Sequence, residues 1–196
     1  MRKLLLVAAL VVAPTFALAE TMETPPAAPM QHHLAVAPQV VMPLGDWGDA
    51  AGLGFGATLN YEYALTDAFG ITGRLGYIHH LGTEVEGVSG VDINTTEIPV
   101  LAGVKYEFVP NIFAQAELGL WHVSYNFSEG TSPDAVNDFG LTVGAGYELG
   151  NLAFGLQYIM PNAFGKSDIE LDGVKLGKED ALSGLMFNLG YTFMGF

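Results

Sequence analysis

The stretch DFGLTVGAGYEL, residues 138–149, separates into two faces when every second residue is taken. Large apolar side chains dominate one face, which holds Phe139, Leu141, Val143, Ala145, Tyr147 and Leu149. Glycine and polar residues form the other face, which holds Asp138, Gly140, Thr142, Gly144, Gly146 and Glu148. A period of two predicts a β-strand, because successive side chains of a strand point to opposite sides of the sheet. One such strand fits many folds, so the fold class depends on how often the pattern recurs.

The alternation recurs along most of the chain, with turn-forming residues between the segments. Eight strands are predicted, at residues 34–44, 52–65, 69–81, 96–108, 112–127, 138–149, 152–160 and 181–193. Pro38 lies inside the first strand, where we expect a bulge or a distortion because proline cannot donate a ladder hydrogen bond. In the fifth strand the apolar residues change parity, which predicts another bulge near Leu120. Beyond it, the apolar face is expected to continue with Trp121, Val123, Tyr125 and Phe127.

The connections between the predicted strands alternate in length. Those at 66–67, 109–111 and 150–151 are tight, whereas those at 45–49, 82–94, 128–137 and 162–180 are longer and acidic. In the last of these, the sequence IELDGVKL predicts a hairpin around Asp172-Gly173. Three short turns and four longer loops fit an even-stranded antiparallel barrel with both termini on one side.

Residues 1–19 have the three parts of a cleavable signal peptide. Arg2 and Lys3 form a basic region, an apolar run follows, and Ala17-Leu18-Ala19 is a suitable cleavage site. The Pro- and Ala-rich residues 20–33 predict a flexible periplasmic lead-in, and residues 34–196 are assigned to the barrel. An exported chain that is 50% hydrophobic fits a barrel whose apolar residues are spread over many strands.

The charge of the chain excludes nucleic acid as a partner. After removal of the signal peptide, which holds two of the seven basic residues, 5 basic and 21 acidic residues remain, a formal charge of −16. A chain this acidic repels a phosphate backbone. The sequence contains no cysteine, so it has neither disulfides nor thiolate metal sites. The pairs His32-His33 and His79-His80 and the acidic loops lack metal-ligand spacing, so no metal or cofactor is predicted.

The apolar face is predicted to contact lipid, because its aromatic residues are concentrated near the strand ends. One aromatic girdle consists of Tyr61, Tyr63, Tyr106, Phe108, Tyr147, Tyr191 and Phe193, and the other of Tyr77, Trp121, Tyr125, Phe127 and Phe139. An eight-stranded barrel has an interior just wide enough for side chains, so these rings cannot all lie inside. We therefore predict an all-β fold, an eight-stranded antiparallel up-and-down transmembrane β-barrel.

From about Leu34 to its end, the chain resembles the small outer-membrane β-barrels of the outer-membrane-protein-A and opacity types, the porin-family barrel domain. The closing strand NLGYTF, residues 188–193, and the terminal Phe196 carry this resemblance. It implies a location in the outer membrane of a Gram-negative bacterium, among outer-membrane lipid and lipopolysaccharide. It also implies that the barrel-assembly machinery reads a signal made of Gly190, Tyr191, Phe193 and Phe196.

The polar face is predicted to fill the lumen with a network of Glu62, Arg74, Glu97, Lys105, Glu107, Glu117 and Glu148. Across the short turns, Lys105 is expected near Gln115 or Glu117. Arg74 is expected opposite Asn60, one diagonal step from Glu62. Charges buried in a narrow lumen have to be paired, so we predict a structural polar plug. A narrow pore is the alternative.

The segment His122-Val-Ser124-Tyr-Asn126 places three polar side chains on one face. A histidine beside a serine forms a nucleophile–base pair when a carboxylate orients the imidazole, and Glu129, Asp134 and Asp138 are available downstream. The order His-x-Ser resembles outer-membrane lipid A deacylases, which makes a lipid-A-modifying hydrolase the alternative function. The leading prediction is a non-enzymatic, structural or adhesin-like barrel whose acidic loops meet an extracellular ligand.

Overall fold

A computed structural model describes most of the chain, namely residues 31–45, 47–48, 51–84, 92–127, 135–164, 168–171, 174–178 and 182–196. Residues 1–30 and the middle parts of the longer connections lie outside these ranges. The signal peptide, its cleavage site and the turn residues Asp172-Gly173 therefore stay predictions.

Eight strands close into an antiparallel barrel, as the alternating pattern predicts. Strands that follow one another along the barrel wall pair with each other, and the first strand pairs with the last to close the wall. Among the described residues, no helix is long and apolar enough to cross a membrane. The barrel strands are β1 Gln31–Leu44, β2 Gly54–Ala64, β3 Phe69–Glu84, β4 Asp92–Val109, β5 Ile112–Phe127, β6 Val136–Leu149, β7 Leu152–Met160 and β10 Ser183–Gly195, and a separate hairpin consists of β8 Asp168–Leu171 and β9 Val174–Lys178.

Strand limits agree with the prediction to within a few residues. β1 begins at Gln31 rather than Leu34, so His32 and His33 belong to the strand. β4 begins at Asp92 rather than Thr96. The hairpin predicted around residues 172–173 has its strands paired as expected, with Leu171 opposite Val174.

The two ends of the barrel differ in their connections. Short turns and the ends of the barrel chain lie together at one end, the turn end, which comprises residues 65–68, 110–111 and 150–151 with Gln31 and Phe196. The longer connections lie at the opposite end, the loop end. Asn111 has a positive φ of 68°, the left-handed conformation that this two-residue turn requires. His32 and Phe196 exchange two backbone hydrogen bonds of 2.8 and 3.0 Å, which close the barrel at the turn end.

Pro38 causes no bulge, but the pairing of β1 with β10 is interrupted at Ala37 and Pro38, which is the distortion expected there. Pro38 stays in register with Ala57 of β2, and the irregularity in β1 lies between Leu34 and Ala35, opposite β10. Here Leu34 pairs with Met194 and Ala35 with Thr192, so Phe193 is the extra residue. The missing proline N–H removes one donor without adding a residue, so the register on either side is preserved.

The bulge expected near Leu120 is also absent. β5 keeps one register against β6 from Ile112 to Val123, and its residues from Ile112 to Phe127 follow one another without a gap opposite β4. Trp121 and Val123, each 1% exposed, therefore point into the barrel, and Tyr125 packs against the same core. Trp121 and Tyr125 therefore do not belong to the second predicted aromatic girdle, the one that contains Tyr77 and Phe139. The backbone parity is constant and the polarity of the two faces inverts instead.

The lumen is divided into two halves of opposite character. The half near the loop end, the loop half, is packed with apolar side chains, among them Val41, Trp47, Ile78, Leu101, Trp121, Val123, Ile159, Leu182 and Met186. The half near the turn end, the turn half, is polar. Glycines make room for the two indoles: a Cβ on Gly184 would lie 2.9 Å from the Trp47 ring, and one on Gly140 would lie 2.5 Å from Nε1 of Trp121.

Candidate functional site

The charged residues predicted to line the lumen all lie on the inward-facing positions of their strands, and none of them faces the apolar outer wall. They are Glu62, Arg74, Glu97, Lys105, Glu107, Glu117 and Glu148. The short connections fix the positions of these residues along the barrel axis, because each turn sets the register of the two strands that it joins. The structure gathers these residues into two ion-pair clusters and two separate carboxylates rather than one continuous network.

The first cluster surrounds the Glu117 carboxylate in the middle of the lumen. Arg74 Nη2 lies 3.0 Å from Glu117 Oε2, and both side chains are buried, at 5% and 1% exposure. Arg74 Nη1 donates to Gln157 Oε1 at 2.7 Å. Neutral donors complete the carboxylate's shell: Thr72 at 3.1 Å, Gln115 at 2.7 Å and Thr142 at 3.3 Å. A buried charge with this many partners holds four strands together across the lumen, namely β3, β5, β6 and β7.

The second cluster surrounds the Lys105 ammonium near the turn end. Lys105 Nζ donates to Glu62 Oε2 at 2.8 Å and to Glu148 Oε1 at 2.6 Å. The ammonium also lies 5.0 Å from the centre of the Phe113 ring. Two carboxylates from β2 and β6 therefore share one cation from β4.

Both register placements expected across the short turns are confirmed, but the charged ends of the two side chains contact residues on other strands. Lys105 is the register partner of Gln115, but its ammonium reaches Glu62 and Glu148 and not Glu117. Arg74 stands opposite Asn60 as expected, yet its guanidinium crosses the lumen to Glu117 on β5. Long side chains in a narrow barrel can select partners on strands that are not their neighbours, which cross-strand geometry does not describe.

Glu107 and Glu97 stand apart from both clusters. Glu107 Oε1 accepts the backbone N–H of Asn111 at 2.8 Å and so fastens the turn between β4 and β5. Glu97 lies in the loop half, with Oε1 3.3 Å from His80 Nε2 and both side chains at 0% exposure. His80 Nδ1 is 2.9 Å from the Gly52 carbonyl oxygen, and the Trp47 ring covers the imidazole at a centroid distance of 5.2 Å.

A cavity of about 330 Å³ opens at the turn end. Acidic side chains and one ammonium line it, from Glu62, Asp67, Lys105, Glu107 and Glu148. A chamber of about 80 Å³ shares part of this lining and continues inward to Arg74 and Asn188. Beyond that level the described side chains of the loop half fill the interior, so the cavity is a pit with one mouth.

His122, Ser124 and Asn137 form a hydrogen-bonded row on the outer wall at the loop end. Ser124 Oγ lies 3.3 Å from His122 Nε2, and His122 Nδ1 lies 2.9 Å from Asn137 Oδ1. Asn137 was not predicted as the orienting group, although it is the register partner of His122 on β6. Of the predicted carboxylates, Asp138 is buried and points into the barrel, and Glu129 and Asp134 lie outside the described residues.

This row continues across the neighbouring strands. Thr96 of β4 is the register partner of Ser124, and its hydroxyl lies 3.3 Å from Nδ1 of His79 on β3. The rim strip, as we call this surface, consists of His79, Thr96, Ser124, His122 and Asn137. The two adjacent histidines of β3 thus point to opposite sides, His79 to the wall and His80 to the lumen, as their neighbouring positions predict.

The residues of the predicted assembly signal lie at the closing seam. Tyr191 and Phe193 are exposed on the outer wall and Gly190 is buried on the inner side. The Phe196 ring stacks on the His32 imidazole, with centroids 4.9 Å apart and planes inclined by 17°. Tyr61 contributes a hydroxyl 2.7 Å from His32 Nδ1. Their part in assembly stays a prediction.

Comparison with known proteins gives one family and several similar structures. The profile of the outer membrane protein beta-barrel domain matches residues 4–193. The attachment invasion locus protein Ail of Yersinia pestis, solved in complex with the heparin analogue sucrose octasulfate, is 20% identical, with a TM-score of 0.52 over 85% of this chain and 100% of that one. OprG from Pseudomonas aeruginosa is 15% identical, with a TM-score of 0.53 over 84% and 96%. Identities this low show the fold alone, and no curated protein matches the chain.

Proposed function

Because the chain belongs to the outer membrane protein β-barrel family and lies in the bacterial outer membrane, we propose that it is a surface barrel that binds a positively charged extracellular partner through its acidic loops. In this orientation the turn end faces the periplasm and the loop end faces the outside, as short periplasmic turns and longer extracellular loops imply. The proposal rests on the charge of the loops and on the closed lumen.

The closed lumen supports an interaction role over a pore. Trp121, Ile78 and Ile159 are all fully buried in the loop half, and the pit from the turn end stops below them. An apolar constriction excludes ions because it offers no groups that replace their hydration shells. The alternative of a narrow pore therefore has less support than a role at the cell surface.

The charge of the loops supports a cationic partner. The longer connections at 45–49, 82–94, 128–137 and 162–180 contain 12 acidic residues and 3 lysines in the sequence, a formal charge of −9. A field of one sign concentrates ligands of the opposite sign and raises their association rate. The single observation that carries the proposal is this charge, placed at the end of the barrel where the described side chains fill the lumen.

The ligand class differs from the one seen with a structurally similar barrel. The Ail structure contains sucrose octasulfate, which is a polyanion. Loops with a formal charge of −9 repel a polyanion, so binding of this kind does not transfer to the present chain. Charge complementarity instead favours basic peptide or protein surfaces.

The proposal is tested by binding fluorescent polylysine and sucrose octasulfate to the full barrel in nanodiscs. We expect polylysine to bind, the affinity to fall as ionic strength rises from about 0.02 to 0.2 M, and sucrose octasulfate not to bind. Neutralising Asp168, Glu170, Glu179 and Asp180 to their amides is expected to weaken polylysine binding, whereas the control Asp67→Asn at the turn end leaves it unchanged. Equal binding by all three proteins would contradict the proposal.

The row formed by Ser124, His122 and Asn137 favours a second candidate, a hydrolase of outer-leaflet lipid esters. An Nδ1–H donated to Asn137 Oδ1 leaves the Nε2 lone pair of His122 facing the Ser124 hydroxyl, as general-base activation of a serine requires. Ser124 Oγ would attack the ester carbonyl while His122 accepts its proton and returns it to the departing alcohol. Water would then cleave the acyl-serine and restore the enzyme.

Lipid A mass spectra test this candidate. Cells without the protein are compared with cells that express the wild type, Ser124→Ala or His122→Ala. A loss of acyl-chain mass that depends on the wild type and disappears in both variants would support the hydrolase. Spectra that are identical in all four strains would eliminate it and leave the surface-interaction role.

A further inference from the structure

At the loop end, the outer wall of the barrel carries a run of neighbouring polar side chains on one side. On β3 to β6 the outward positions at this level form the rim strip. On β1, β2 and β7 the outward positions near the loop end are apolar or aromatic, namely Met42, Phe55 and Met160, and β10 carries the single hydroxyl of Ser183. A uniform belt of interfacial residues would not produce this asymmetry, so the rim strip is a local feature of the wall.

The rim strip borders directly on lipid-facing surface. One or two steps toward the turn end on the same four strands are Tyr77, Val100, Leu120 and Phe139, each at least 41% exposed. In a membrane barrel, exposed apolar side chains of this kind contact acyl chains. The rim strip therefore lies where the acyl chains of a bound lipid end and its headgroup begins.

We propose that the rim strip binds the phosphate-bearing headgroup of an outer-leaflet lipid, of the lipopolysaccharide class, with its acyl chains along Leu120 and Phe139. The inference requires only the location in the outer membrane. It depends neither on the acidic loops nor on hydrolysis at Ser124.

The chemistry of the rim strip suits a phosphate. Its hydroxyl, imidazole and amide groups are hydrogen-bond donors that are already aligned by bonds to each other, at 3.3 Å for His79–Thr96 and 2.9 Å for His122–Asn137. Nε2 of His79 and the amide nitrogen of Asn137 take no part in those bonds and can face a ligand. Hydrogen bonds to an ionised group are stronger than those between neutral groups.

Charge also permits an anionic headgroup to approach here. Among the outward positions whose side chains the structure describes, none is acidic, and the strand carboxylates point into the lumen. The barrel wall therefore separates the rim strip from the lumen carboxylates, whose repulsion of a phosphate falls with distance. Lipid is the occupant we commit to because the site continues an existing lipid-facing wall.

The first experiment measures lipid A that is retained by the full barrel after purification from outer membranes in mild detergent, counted by mass spectrometry in all acylation states. The triple variant Thr96→Val, His122→Leu, Asn137→Leu is compared with the wild type and with Ser183→Ala on the opposite wall. We expect the triple variant to retain less lipid A by a factor of about ten or more, because it loses three polar partners. Ser183→Ala is expected to match the wild type.

Charge variants at one position keep the test independent of folding. Asn137→Lys is expected to raise lipid A retention and Asn137→Asp to lower it, whereas both retain equal amounts of dephosphorylated lipid A. Retention that is the same in the triple variant, Asn137→Lys and the wild type would overturn the proposal. Release of bound lipid A by millimolar inorganic phosphate would also overturn it, because the site would then recognise any anion. Trimmed acyl chains would bear on the hydrolase candidate alone, since every acylation state is counted.

Discussion

The two halves of the lumen are filled by side chains of opposite character. In the turn half, charged side chains pair around Glu117 and Lys105 and border a pit of about 330 Å³. In the loop half, the described indole and aliphatic side chains pack against each other, and the carboxyl group of Glu97 lies beside His80 at 0% exposure. The outer wall changes in the reverse sense, from apolar along most of its height to polar at the rim strip.

This inversion marks where the wall leaves the hydrocarbon. Along β5, Glu117 points inward and Leu118 outward, whereas a few residues later Trp121 points inward and His122 outward. A strand in lipid needs its apolar side outside, and a strand in water needs it inside, so the solvent on the outer wall decides which face is apolar. β3, β4 and β5 are 16 or 18 residues long, more than the roughly 9–11 that cross a bilayer. Their loop ends therefore behave as part of a water-soluble barrel.

The strongest test of the turn half is removal of one partner from its central ion pair. Arg74→Met leaves Glu117 buried at 1% exposure without its cation, and we expect the free energy of unfolding to fall by about 3–5 kcal/mol. Urea unfolding in phospholipid vesicles measures the change. The double variant Arg74→Met, Glu117→Leu is the control and should recover most of the loss. A double variant as unstable as the single one would mean that packing, not charge, governs this half.

The loop half is tested by removing its largest side chain. Trp121→Ala is expected to lower the free energy of unfolding by about 3 kcal/mol through the cavity it creates. This loss of stability is at the lower end of the range for an indole. Nε1 of Trp121 has no hydrogen-bond partner among the described residues, so burying this N–H already costs free energy in the wild type. Trp121→Phe removes that N–H, keeps most of the packing and should cost much less. If both variants were equally destabilising, the indole N–H would have an unrecognised partner.

How far the sequence predicts this structure depends on which solvent the strand contacts. Alternation alone assigns the strands and sends the lumen charges inward, because the pattern has a period of two wherever one face is apolar. The same rule fails at Trp121, where it treats a change of solvent as a change of backbone parity. The alternation cannot predict the burial of Trp47, because this residue lies in a connection between strands and belongs to no alternating segment. Gly184, which makes room for its ring, is the only sequence signal that accompanies it.

The sequence identifies the residues of the candidate site better than it identifies the contacts between them. Register across a short turn correctly places Arg74 opposite Asn60, but the guanidinium forms its ion pair with Glu117, which is two strands away. Distances across a closed lumen depend on the strand order and tilt of the whole barrel, which no local segment encodes. Asn137 is a similar case, because its place beside His122 follows from the register of β5 with β6, and a long connection joins those strands.

A smaller effect is expected at the mouth of the pit, where water weakens the ion pairs. Lys105→Met removes the cation shared by Glu62 and Glu148, which are 25% and 31% exposed. We expect a loss of about 1–2 kcal/mol, because solvent can rehydrate the released carboxylates. A loss as large as that of Arg74→Met would show that the pit is drier than its exposure indicates.

The smallest effect is expected at Glu107, a turn-half carboxylate that forms no ion pair with a described residue. Glu107→Ala removes the acceptor for the Asn111 N–H, a bond of 2.8 Å at the exposed turn between β4 and β5. We expect a loss of about 0.5–1.5 kcal/mol, the net worth of one hydrogen bond, measured by the same urea unfolding. Glu107→Gln keeps an acceptor oxygen and should lose less than half of that. If instead Glu107→Gln proved as costly as Glu107→Ala, the negative charge itself would matter, and Glu107 would belong with the ion pairs around Lys105 rather than with the turn.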